Sequence, residues 1–102
     1  MKYALAAFLF AFAMGTAHAA TFAVEVGEHS MTVYSTSTKK EACVLKNAFS
    51  YVFNGQREMR TQTCNVNVLP GKHLEVCKVA HSDLNEIKIE KPVEVLSCTE
   101  QK

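Results

Sequence analysis

The mature part of the chain opens with an alternation of apolar and polar positions. Phe22, Val24 and Val26 share one parity. Gly27-Glu28-His29-Ser30 interrupts the run, and Met31, Val33 and Ser35 then alternate with Thr32, Tyr34 and Thr36. A period of two with β-branched and aromatic residues on both sides of a four-residue break predicts two antiparallel strands over 21–36.

The period changes after Ser35–Thr38. Thr38-Lys39-Lys40-Glu41 matches the S/T-x-x-E capping box, and apolar residues recur at Ala42, Leu45, Phe49, Val52 and Phe53, the stripe of a 3.6-residue helix. Asn54-Gly55 could close that helix as a C-cap. A competing reading makes Phe49–Met59 a hairpin around Asn54-Gly55, a dipeptide that fits a two-residue turn. Agreement of cap, alanines and stripe favours the helix. Val44 and Tyr51 then fall on its outer side.

Beyond it, 57–69 alternates, turns at Pro70-Gly71 and gives way to His73–Val79, the pattern of a hairpin with Cys64 and Cys77 at its outer ends. His81-Ser82-Asp83 marks a break. Ile87 and Ile89 begin a last extended run, in which Pro92 marks an edge, a bulge or a gap between two short strands. The expected fold is α+β, one helix packed on an antiparallel sheet in the order β-β-α-β-β-β.

The N-terminus changes what counts as the folded chain. Lys2, the eleven apolar residues Ala4–Met14 and the A-x-A sequence Ala17-His18-Ala19 form a bacterial-type export signal over 1–19. The apolar run is too short for a membrane span, which needs about 20 residues. The expectation is a single compact exported domain over 20–102, periplasmic or secreted, with no membrane insertion after cleavage.

A domain of that size is marginal on its core alone, so four cysteines in an exported chain read as two disulfides. A tight two-residue turn at Pro70-Gly71 would pair Cys64 with Cys77. However, that register sets Val66 against Glu75 and Val68 against His73. Slipping it by one residue matches valines with Val76 and Leu74 and turns the two sulfurs to opposite faces. The favoured scheme is therefore Cys43–Cys64 with Cys77–Cys98. The nested scheme, Cys64–Cys77 with Cys43–Cys98, and a third remain open, because loop-closure entropy does not separate them.

Charge and motifs narrow the function. The formal net charge is +1, and about zero without Lys2, which gives no support to nucleic-acid binding. Basic residues nevertheless concentrate at Lys39, Lys40, Lys46, Arg57, Arg60 and Lys72. No G-x-S-x-G, H-E-x-x-H, phosphate loop or EF-hand pattern occurs, and four cysteines that can all pair leave no free thiol for catalysis.

No enzymatic activity and no cofactor are expected. The reading is a small non-catalytic module that binds another protein, for instance an inhibitor or immunity-type partner of a periplasmic or secreted hydrolase. Its candidate surface comprises Lys39, Lys40, Val44, Tyr51, Arg57 and Arg60, since exposed aromatic and arginine side chains anchor protein interfaces. The alternative is copper binding by His29 and Met31, an imidazole and a thioether two positions apart at a hairpin tip.

Overall fold

A computed structural model describes residues 20–101; the export signal expected over 1–19 lies outside them. Seven strands follow in order: β1 (Ala20–Val26), β2 (Ser30–Ser37), β3 (Glu41–Phe53), β4 (Gln56–Val68), β5 (Gly71–Ala80), β6 (Asn85–Ile89) and β7 (Glu94–Glu100). They form two sheets, and no helix occurs among the described residues. The α+β expectation is therefore wrong: the protein is all-β.

The error sits in β3. Glu41, Cys43, Leu45, Asn47 and Phe49 are buried on one parity, the period of a strand. The outer parity carries Ala42, Val44, Ala48 and Val52, all only half-exposed. With apolar residues on both faces, the alternation is masked and a helical stripe emerges by coincidence. The apparent capping box is used differently. Thr38 is exposed, and Ser37 makes the local bonds: its Oγ donates to the Lys39 carbonyl at 2.8 Å and accepts from the Lys39 N–H at 3.1 Å.

What overrides any helical preference is pairing on both edges. β3 runs antiparallel to β4 along its whole length, from Glu41↔Val68 to Phe53↔Gln56. Its other edge is shared by two short strands: β7 beside Glu41–Lys46 and β6 beside Phe49–Val52. Pro92 lies in the gap between β6 and β7, one of the roles expected of it.

The first sheet has the order β1-β2-β5, all antiparallel. The β1–β2 hairpin forms as its alternation predicts, with Gly27 N–H donating to the Ser30 carbonyl at 2.8 Å. β5 enters through an irregular register in which His73 takes a positive φ of 54°. Its ring stacks on Tyr34 with centroids 3.9 Å apart, and its Nε2 lies 3.1 Å from Glu25 Oε2.

The two sheets face each other across two apolar clusters. Ala20 and Val33 of the first sheet pack with Cys43, Leu45, Cys64, Val66 and Val68 of the second. Further along, Met31 and Val79 pack with Phe49, Ile87 and the loop residue Leu84. Each cluster draws on both sheets, as in a sandwich.

Both staples belong to the first cluster, and their pairing corrects the favoured scheme. The bonds are Cys43–Cys98 and Cys64–Cys77, with Cα separations of 4.1 and 6.4 Å. The hairpin that was to decide between registers does not exist. β4 pairs with β3 and β5 with β2, so Leu69-Pro70 carries the chain from one sheet to the other. Cys64 and Cys77 then meet across the sandwich, not along a ladder. Cys43 and Cys98 are direct register partners on β3 and β7. Their short Cα spacing is that of a non-hydrogen-bonded antiparallel pair, where side chains approach most closely.

Candidate protein-binding arm

Asn54 and Gly55 turn β3 into β4, with φ of 53° and 76°. Positive φ at both central residues is the type I′ turn, whose twist suits two long strands. The resulting hairpin outruns the sheet that faces it. Along the inner face of β4, Val68, Val66 and Cys64 are buried, whereas Arg60 and Glu58 are exposed. The outer-face residues Arg57, Met59 and Thr61 are exposed as well. Residues 56–61 of β4, about 20 Å of strand, are thus exposed at every position.

On the inner face of the arm, Tyr51, Phe53 and Arg60 close a cleft of about 230 Å³ against His81, Asp83 and Leu84. Tyr51 is held by the core beneath it, its ring tilted against Phe49 at 6.2 Å. Phe53 is 40% exposed. Leu84 is buried and forms an apolar floor. Asp83 N–H donates to His81 Nδ1 at 3.0 Å and its carboxylate lies 3.5 Å from the same nitrogen, so the rim is a tied turn. The cleft therefore offers two aromatic edges, a guanidinium and a carboxylate.

The opposite face of the arm is occupied internally. Ser50 is fully buried; its Oγ donates to Glu90 Oε2 and accepts from Arg57 Nη1 at 2.9 Å. The same Nη1 donates to the Glu86 carbonyl at 3.0 Å, and Nη2 lies 4.0 Å from Glu86 Oε1. Arg57 therefore latches β6 to the arm and has little left to offer a partner.

The candidate residues do not form one surface. Tyr51 and Arg60 converge on the cleft, and Arg57 lies behind them. Val44 is half-buried in the middle of the outer face, between Asn65 and Ser97. Lys39 and Lys40 sit in the β2–β3 connection, about 40 Å away along β3. There Lys39 Nζ pairs with Glu100 Oε1 at 3.5 Å. The basic residues are close in number but separated by the length of β3.

The copper site is not assembled. Met31 is 1% exposed, packed in the core with Phe49 and Leu84. His29 lies in the β1–β2 loop, its Nδ1 3.2 Å from the Leu84 carbonyl. Met31 lies within β2 and turns its thioether inward with Val33, whereas His29 precedes the strand and its ring is held at the Leu84 carbonyl. Glu41, Cys43 and Cys98 bring potential ligand atoms within 4.8 Å of one another, but both sulfurs are consumed in a disulfide.

Phe53, Leu84, His81 and Asp83 were not singled out by sequence. The signal that finds Phe53 was present, since Asn54-Gly55 read as a hairpin turn places it at the tip. The other three arrive from a loop thirty residues on, which local pattern does not connect to the arm. Comparison of the chain with protein-family models, curated proteins and solved structures finds no match in any of the three.

Proposed function

We propose that this is an exported protein-binding module that engages another protein with the β3–β4 arm and the cleft along its inner face. The observation that supports this most is the projection itself: Tyr51 and Phe53 border an open cleft on a strand pair fixed to a disulfide-stapled body. Large aromatic side chains on a rigid support bind with little ordering cost. A projecting hairpin whose β4 strand is exposed along residues 56–61 is suited to enter a groove on its partner, which supports an inhibitor or immunity-type partner of an exported hydrolase.

The staples support an exported compartment. Two disulfides fit an oxidising environment, and the A-x-A sequence at Ala17–Ala19 favours the bacterial periplasm or the exterior.

The test is affinity capture from periplasmic extract with the wild-type chain beside Phe53→Ser. Phe53 is at the arm's tip, so its replacement leaves the core intact. The expected result is a partner retained by wild type and lost with Phe53→Ser. Equal capture by both, or none by either at low salt, overturns the proposal.

A further inference from the structure

Among the described residues, the outer edge of β4 has no strand beside it. It is an uninterrupted run of thirteen residues without proline or glycine, whereas Pro92 breaks the opposite edge of the same sheet between β6 and β7. Edges of this kind are usually blunted, because their unpaired N–H and C=O groups template another strand. Here the distal half carries Arg57, Glu58, Met59, Arg60 and Thr61, all exposed.

The direction of the backbone groups follows from the turn. In a two-residue hairpin the flanking pair Phe53↔Gln56 exchanges both hydrogen bonds, and hydrogen-bonded pairs recur at every second residue. Odd residues of β3 and even residues of β4 therefore bond to each other. The other edge of β3 agrees: Glu90 N–H reaches the Ala48 carbonyl at 3.0 Å, and Gln101 N–H reaches the Lys40 carbonyl at 2.9 Å. It follows that Arg57, Met59 and Thr61 direct their N–H and C=O outward.

We propose that β4 pairs antiparallel with β4 of a second copy of this chain, about a two-fold axis at Met59. In that register Met59 meets its own counterpart and Arg57 meets Thr61, all as hydrogen-bonded pairs. Glu58 then stands opposite Arg60 of the other copy, twice, in the non-hydrogen-bonded positions where side chains are closest. The two charges share one face of β4 and are self-complementary only in this antiparallel arrangement. The register also accounts for Met59, at 67% the most exposed of the large hydrophobic side chains among the described residues. On the outer face the two methionines cover each other.

The product is an isologous dimer with a continuous β3-β4-β4-β3 ribbon. The added strand lies beside β4 and not over β3, so Tyr51 and Phe53 stay accessible, while Arg60, which also lines their cleft, turns to Glu58 of the other copy. Dimerisation and partner binding are therefore told apart by Phe53, which the dimer does not use. It can fail while Phe53-dependent capture succeeds, and the reverse.

The experiment is sedimentation of the disulfide-intact exported chain over a concentration series. Wild type is expected to dimerise, and Glu58→Arg and Arg60→Glu each to weaken the dimer by about tenfold or more. The doubly reversed variant Glu58→Arg/Arg60→Glu should recover wild-type association. The two single variants, mixed, should form a heterodimer. Met59→Pro removes an outward N–H without touching the β3 ladder and should be monomeric while remaining folded by circular dichroism. Wild type monomeric throughout the series, single reversals without effect, or a double reversal that fails to restore association would each overturn the proposal.

Discussion

Cys64, on the inner face of β4, is bonded to Cys77 on β5, and this bond joins the two sheets at the corner turned by Pro70 and Gly71. Cys43–Cys98 lies wholly within the second sheet. A tryptic digest without reduction distinguishes this arrangement, because Lys40, Lys46, Arg60, Lys72, Lys78 and Lys88 isolate every cysteine. The expected products are 41–46 linked to 89–102, and 61–72 linked to 73–78. A linkage of 41–46 to 61–72 would show that the sheets are stapled otherwise.

The two bonds contribute unequally. They span sequence separations of 55 and 13 residues. Chain entropy then assigns about 4 kcal/mol to Cys43–Cys98 and about 3 kcal/mol to Cys64–Cys77. Cys43→Ser/Cys98→Ser should accordingly lower unfolding free energy more than Cys64→Ser/Cys77→Ser, as read by urea denaturation. The reverse order would mean that joining the sheets outweighs closing the longer loop.

Strands whose two faces differ in polarity were legible in the sequence, and those whose faces agree were not. β1 and β2 set polar residues such as Thr21, Glu25, Thr32 and Thr36 on one side, and their alternation with Phe22, Val24 and Val33 is plain. β3 lies at the centre of its sheet with Ala42, Val44 and Val52 opposite Cys43, Leu45 and Phe49, so its period was hidden. Cysteine count predicted two bonds, but pairing depended on which strands are neighbours. Pro70-Gly71 turns the chain equally well between sheets as within one. Of the cleft, Tyr51 and Arg60 were found from residue type; the register that unites them with Phe53 and Leu84 is a tertiary fact.

The turn at the arm's tip is a backbone requirement. Gly55 has φ of 76°, and a Cβ there would meet nothing within 4 Å. Gly55→Ala therefore isolates the conformational penalty of a left-handed residue, about 1 kcal/mol. Asn54→Gly should be tolerated within a few tenths, since glycine adopts positive φ freely. Thermal unfolding of the two variants measures both, and a Gly55→Ala protein as stable as wild type would exclude the type I′ turn.

His73 combines a strained backbone with a useful side chain. Its φ of 54° disfavours any residue with a Cβ, yet the ring stacks on Tyr34 and contacts Glu25. His73→Gly loses the contacts and relieves the strain, whereas His73→Ala loses the contacts and keeps it. The glycine variant should be the more stable of the two by about 1 kcal/mol. Denaturant midpoints that place alanine above glycine would mean that β5 does not enter the sheet through a left-handed residue.

Arg57 is assigned here to holding the arm, and that assignment separates it from Phe53. Its guanidinium and Glu90 are the two partners of the buried Ser50 hydroxyl. Ser50→Ala should destabilise the protein by about 1–2 kcal/mol, as a buried hydroxyl between charged groups does. Because the residues share one network, Ser50→Ala and Arg57→Met should be non-additive by about 1 kcal/mol in a double-mutant cycle. Arg57→Met should also leave partner capture intact at temperatures where the variant is folded, while Phe53→Ser abolishes it. Additive losses in the cycle, or loss of capture by folded Arg57→Met, would return Arg57 to the binding surface and leave the attachment of β6 to be explained by pairing alone.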